Sequence, residues 1–315
     1  MQILVTGCNG FVGSRLTVVA KQRGYCLTKA QRNSGSVVDE SVFSISSIDK
    51  NTNWKPALVD IDCVVHCAAR VHQMGEERED SLSLYREVNT EGSLNLARQA
   101  AEMGVKRFVF ISSIKVNGEF SDSGRPFTSE DVSTTDDPYG LSKYEAEQGL
   151  QIIAQGTGLE VVIIRPPLVY GPNVKANFLT MMKWVEKGIP LPLGSIDNRR
   201  SLLFLDNLID FILTTSKHPA AVGKTFLLSD GEDVSTASLI QEIAKVMGKR
   251  AHLFPIPVKL IQWGANLLGK PKVAQRICSN LQIDSSEARE TLGWVPPFTL
   301  QEGIRATVEH YLSNK

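Results

Sequence analysis

The eight residues TGCNGFVG (6–13) constrain this chain most, because they set Gly7, Gly10 and Gly13 between the strand-like run ILVTG and the helical pattern FVGSRLTVVAKQRG. In that pattern Val12, Leu16 and Val19 recur at helical spacing and Gly24 stands where a helix ends. Glycine permits a tight turn and close backbone approach. The helix behind it presents free N–H groups and a partial positive charge to a pyrophosphate. A glycine trio alone is weak, but strand before and helix after predict a dinucleotide-binding loop.

Apolar β-branched runs then alternate with longer helical patterns: CVVHCAA (63–69), RFVFISS (107–113) and EVVIIRP (160–166). Near-continuous apolar strands of this kind belong to a parallel sheet covered on both faces. The expected fold is α/β, a Rossmann doubly wound sheet with a smaller mixed α/β C-terminal substrate domain. After residue 170 the rhythm changes. Residues 1–165 plus 201–232 are expected to form the cofactor domain, and 166–200 plus 233–315 the smaller one, with two or three helices beyond about 235.

The second strand, CLTKAQ (26–31), ends on Gln31 and Arg32, where a carboxylate would hold the adenosine ribose of NAD. An arginine suits the extra phosphate of NADP, so NADP is favoured over NAD; Arg32 as a solvated strand end is the plain alternative.

The 315 residues include 34 basic and 34 acidic ones, which leaves no net field for nucleic acid or an anionic membrane and favours a small-molecule partner. Five scattered cysteines and a chain opening directly into a strand predict a reduced, cytoplasmic protein. VKLIQWGANLL (258–268) is too short to span a membrane and is read as a packed helix, with contact at a membrane surface as the alternative. In CVVHC, strand geometry puts Cys63 and Cys67 on one face about 13 Å apart with His66 opposite, so no metal site is expected.

DPYGLSK places Tyr139 and Lys143 four residues apart behind Pro138, on one face of a helix start. A tyrosine titrates near 10, too high for base work at neutral pH, so a neighbouring ammonium and a cationic nicotinamide are expected to lower it. YCLTK (25–29) has the same spacing on a strand, where the two side chains lie far apart. FISSIKVNGE (110–119) reads as strand first and site second: Phe108, Val109, Phe110 and Ile111 fill the covered faces, and Ser112 and Ser113 reach the ligand-binding edge. Lys115 is expected at the rim of the substrate pocket, against water or an anion.

Taken together, TGCNGFVG, HCAA, FISSIKVNG, YGLSK and RPPLVYGP resemble the extended short-chain dehydrogenase/reductase family of nucleotide-sugar epimerases, dehydratases and reductases over essentially the whole chain. The resemblance implies Tyr139 as acid/base, Lys143 as its activator and ribose ligand, and Ser113, or failing that Ser112, as the hydroxyl holding the reacting sugar oxygen. It implies a cofactor held by Gly7, Asn9, Gly10, Phe11, Val12, Gly13, Arg32, Ala68, Ala69, Tyr139, Lys143 and Pro166. For a UDP-sugar substrate it implies Asn177 and Arg200 at the diphosphate and Leu191, Pro192 and Leu193 along the uracil, with Lys115 and Asn117 nearby. Helix capping, surface pairing and an ordinary loop are the respective plain alternatives.

Three reactions compete. SSIKVNG lacks the acidic pair of the dehydratases. An epimerase keeps its cofactor; a reductase consumes NADPH each turnover, and Gln31 with Arg32 leans that way. SSIKVNGE, RPPLVYGPNVKANF and RRSL resemble a subgroup of bacterial 4-ketoreductases for UDP-linked 6-deoxy-N-acetylhexosamines, also labelled UDP-glucose 4-epimerases. Lys115 and Asn117 depart from typical epimerases. So does the missing arginine-plus-aspartate element before DSSEARETLGW, for which Gln282 or Arg276 is the substitute. The expectation is an NADP-linked 4-reductase of surface polysaccharide synthesis, acting as a homodimer; a 4-epimerase and a catalytically silent nucleotide-sensing module are the alternatives.

Overall fold

In a computed structural model describing residues 1–32, 41–71, 78–131 and 137–314, the chain runs β1 (Gln2–Thr6), α1 (Phe11–Gln22), β2 (Cys26–Arg32), β3 (Val42–Ile45), β4 (Cys63–His66) and α2 (Arg78–Tyr85). A π-helical stretch, Arg86–Gly92, leads into α3 (Ser93–Glu102), β5 (Arg107–Ile111), α4 (Pro138–Thr157), β6 (Glu160–Arg165) and β7 (Leu168–Tyr170). Then follow α5 (Ala176–Glu186), β8 (Arg200–Phe204), α6 (Leu205–Thr215), β9 (Thr225–Leu227) and β10 (Asp233–Val234). The tail holds α7 (Thr236–Val246), α8 (Val258–Leu267), α9 (Pro271–Cys278), α10 (Ser286–Leu292) and α11 (Leu300–Ser313).

The larger sheet has the order β3-β2-β1-β4-β5-β6-β9, and every pair in it is parallel. Its strands bury both faces, as their apolar runs require, and alternate residues part cleanly. Ile3, Val5, Cys63, Val65, Val109 and Ile111 join α1 and α6 on one side, while Leu4, Val64, Phe108 and Phe110 join α3 and α4 on the other. The chain leaves β1 in one direction to β2 and β3, then returns across it to β4. This reversal of strand order opens a crevice between the C-terminal ends of β1 and β4, beside the glycine loop.

A second sheet, β10-β8-β7, carries its own core with α5, α7 and α11. β8 faces both bodies. Leu203 lies in the larger sheet's core, whereas Leu202 and Phe204 lie in the smaller one, and β8 pairs with β7 and β10 of the smaller sheet. The chain therefore returns toward the larger layer through Leu203 and α6. The tail has five helices rather than two or three, because Pro257, Pro271 and Gly293 break it into short pieces. α8, expected to be packed, rests on the smaller core through half-buried Val258 and Ile261 and has no fully buried residue.

Candidate functional site

At the crevice, Gly7 turns with φ +68°, and a Cβ there would lie 2.8 Å from the Ala68 nitrogen. A Cβ on Gly13 would lie 2.2 Å from the Gly7 carbonyl oxygen, while the Gly10 N–H donates to that oxygen at 2.8 Å. The loop is thus folded onto itself with no room for side chains, which leaves backbone N–H groups at the start of α1 facing outward. Behind it, Thr6 Oγ1 meets His66 Nδ1 at 2.7 Å and His66 Nε2 meets Ser93 Oγ at 2.8 Å. Burial and the nearby Lys143 push His66 down to about 3, so it is a neutral pin between β1, β4 and α3. The Ala68 N–H donates to Thr6 Oγ1 at 3.3 Å; Ala68 is buried and Ala69 half-buried.

Phe11 and Val12 are half-buried at the head of α1, and Asn9 is exposed, its side-chain amide donating to Gln31 Oε1 at 3.1 Å. Arg32 is exposed at the end of β2. Pro166 is buried beyond β6, and its carbonyl accepts the Ile114 N–H at 3.0 Å, tying the strand end to the serine turn.

Two turns bring Tyr139 and Ser113 together. Ser113 caps a short 3₁₀ turn, Ile114–Val116, with its Oγ accepting the Lys115 N–H at 3.2 Å. Asp137 caps α4 by accepting the Gly140 N–H at 2.8 Å, and Pro138 occupies the first turn, which presents Tyr139 next to Ser113. Burial, then the charges of Asp137 and Tyr85, push Tyr139 up to about 12, against the hydrogen bond with Ser113. In the protein alone burial dominates and Lys143 does not lower the tyrosine; the expectation joined Lys143 to a cationic nicotinamide, which the protein's own residues do not supply.

Lys143 is 1% exposed, with Nζ 4.1 Å from the centre of the Phe110 ring and no hydrogen-bond partner among the described residues. Burial pushes it down to about 7, against the attraction of Glu147 and Cys67. An ammonium held dry beside a glycine-lined crevice, with no partner among the described residues, calls for a ligand. The hydroxyls of a dinucleotide ribose fit that requirement, as does the cradle itself for the pyrophosphate.

Next to the tyrosine opens a cavity of about 390 Å³. Of the expected substrate residues, Ser113, Lys115, Asn177, Leu193 and Arg200 line it. Lys115 Nζ stands 5.8 Å from the centre of the Tyr139 ring and pairs with Asp137 at 2.6 Å and Glu119 at 3.6 Å, so it meets anions of the protein itself. Arg200 opens β8 and donates to the carbonyls of Arg276 and Ser279 at 3.0 and 3.1 Å. Burial and the like charge of Arg276 push its guanidinium down, so together they form a cationic end to the cavity that favours an anion.

Four expected residues stand elsewhere, exposed Pro192 among them. Ser112 is buried and donates to the Glu147 carboxylate, which pairs with Arg165 at 2.6 Å. Asn117 is buried on the same network. Its Oδ1 accepts from Arg165 at 3.1 Å and its amide donates to the Thr128 and Asp131 carbonyls at 2.7 and 2.6 Å. Leu191 is buried in the smaller core, exchanging backbone hydrogen bonds with His252 and Phe254. Gln282 is committed to Asp233 at 2.7 Å, whereas Arg276 does line the cavity. Glu119 and Asp137 escaped sequence reasoning; only Asp137 carried a signal, as the capping residue before Pro138. Cys63 and Cys67 are both pushed up to about 12 by burial, and among the described residues no group of three His, Cys, Asp or Glu could hold a metal.

A parallel sheet with a glycine crevice and a Tyr/Lys pair on one helix defines a dinucleotide-dependent enzyme of the extended short-chain dehydrogenase/reductase class. The chain belongs to the NAD dependent epimerase/dehydratase family, whose model matches residues 3–228. It is 47% identical over 312 residues to a UDP-glucose 4-epimerase of Vibrio cholerae, covering 98% of this chain and 95% of the relative. It is 27% identical over 329 residues to the N-acetyl-alpha-D-glucosaminyl-diphospho-ditrans,octacis-undecaprenol 4-epimerase of Escherichia coli O157:H7, covering 98% and 94%. Its fold is similar to that of UDP-N-acetylglucosamine 4-epimerase from Bacillus cereus, with a TM-score of 0.78 at 21% identity over all of both chains.

Proposed function

We propose that the protein transfers hydride at carbon 4 of a UDP-linked hexose, with Tyr139 moving the proton on the sugar oxygen, Ser113 orienting that oxygen and Lys143 holding the cofactor ribose. The observation that carries this is the buried, unpartnered Lys143 ammonium between the glycine crevice and the cavity. The Arg200 and Arg276 end of the cavity and Asn177 at the head of α5 suit a nucleotide diphosphate, with Leu193 beside the base. Residues up to 165 with α6 and β9 would serve the cofactor, and the remainder the sugar nucleotide.

Two outcomes of this chemistry are separately favoured. Arg32 at the end of β2, with Gln31 where a carboxylate would repel a phosphate, favours NADP and net reduction of a UDP-4-keto-6-deoxy-N-acetylhexosamine, in surface polysaccharide synthesis. The 47% identity to the Vibrio cholerae epimerase favours 4-epimerisation with a retained NAD. The test is to identify the copurifying nucleotide by mass spectrometry and to assay both reactions. Loss of NADPH absorbance with the 4-keto sugar supports the reductase, and interconversion of UDP-GlcNAc and UDP-GalNAc without added cofactor supports the epimerase. Failure of both with a folded, nucleotide-loaded protein removes the carbon-4 assignment.

A further inference from the structure

The balanced charge of the whole chain hides a segment of one sign. From Ala251 to Ile283 there is no aspartate or glutamate, while Lys259, Lys270, Lys272 and Arg276 are present. Within it α8 is apolar on two sides. Val258 and Ile261 pack toward the smaller core, and Leu260, Trp263 and Leu267, spaced three and four apart, form a second stripe that faces outward. Their exposures are 56%, 63% and 69%, and Leu268 follows at 77%. A helix of a water-exposed surface needs one apolar face, not two.

We propose that the outer face of α8, with Lys259 at its start and Lys270 and Lys272 at the start of α9, docks the protein on an anionic lipid bilayer. Leucine and tryptophan on one helix face with lysines around it is the composition that seats a helix at the headgroup level. Charge selects the occupant. A second copy of this chain meeting the stripe about a two-fold axis would set Lys259, Lys270 and Lys272 of one copy among the same three lysines of the other, with no carboxylate in the segment to offset them. An anionic surface instead attracts all three. The consequence is positional: α9 contributes Val273, Arg276 and Ile277 to the cavity wall, so docking through α8 sets the cavity beside the membrane.

The test is cosedimentation of the intact protein with vesicles of phosphatidylcholine alone and of phosphatidylcholine with phosphatidylglycerol. The wild type is expected to pellet with the anionic vesicles only, less so as salt is raised. The pair Trp263→Glu with Leu267→Glu and the pair Lys270→Glu with Lys272→Glu should each lose at least about twentyfold in partitioning, with unchanged thermal unfolding midpoints. A wild type that stays in solution with anionic vesicles, or variants that pellet like it, would overturn the proposal. So would a dimer in light scattering that Trp263→Glu with Leu267→Glu splits while no vesicle is bound, which would make the stripe a subunit contact.

Discussion

Replacing Lys143 by methionine should change how the stability of the nucleotide-free protein depends on pH. Burial lowers this lysine from its ordinary 10.5 to about 7. At about 1.4 kcal/mol for each tenfold change, a fall of that size is worth about 5 kcal/mol of strain on the charged form. Below pH 7 the folded protein carries the whole penalty. Between 7 and 10.5 the unfolded lysine keeps a proton that the folded one has released, so stability rises with pH across that window. From pH 7 to pH 9 the rise is about 2 kcal/mol. Cys63 and Cys67, pushed up to about 12, act in the opposite sense as pH passes 9, but they do so in both proteins. Urea unfolding of wild type and Lys143→Met at the two pH values therefore isolates the lysine. The difference in unfolding free energy between the variants should shift by about 2 kcal/mol in favour of the wild type at pH 9. A difference independent of pH would refute the reading of Lys143 as a dry, unpartnered ammonium, and with it the main support for the ribose contact.

Tyr139→Phe should abolish turnover, assayed in both reaction formats, while calorimetric binding of the dinucleotide is retained; normal turnover would remove Tyr139 as the proton-transfer group. In Gly13→Ala the new methyl group meets the Gly7 carbonyl at 2.2 Å, backbone against backbone, so nucleotide binding should be lost and stability should fall by about 3 kcal/mol in urea. Glu147→Gln leaves the Arg165 guanidinium buried without its counter-charge and should cost about 3–5 kcal/mol in the same measurement, without altering the choice between NADH and NADPH. Arg32→Glu should leave stability within about 0.5 kcal/mol, since the side chain is exposed, and shift preference from NADPH toward NADH.

The parts of this molecule that were legible in its sequence are those where a local requirement leaves one solution. Gly7 and Gly13 must be glycine because backbone atoms stand where a Cβ would be, and Tyr139 and Lys143 are joined by one turn of a helix that Asp137 and Pro138 start. The strands were legible because burial on both faces writes itself as an unbroken apolar run. What failed was direction. Period two runs past the end of β5, so Ser112 follows Phe108 and Phe110 toward α4 while extended Ser113 points to the cavity; it is lost only in the 3₁₀ turn from Ile114, after which Asn117 closes back on Arg165. No rule of spacing anticipates the contacts of Ser112 and Asn117, because the Glu147–Arg165 pair they join has its members on α4 and β6, which meet only once the sheet is assembled. The same holds for α8. Its residues read as a packed helix because packed and lipid-facing apolar surfaces have one composition, and only the neighbours, or the lack of them among the described residues, tell the two apart. Interior networks and exterior docking faces are thus the features that sequence encodes least directly. In this chain they decide what Ser112 and Asn117 are committed to and which way the cavity faces.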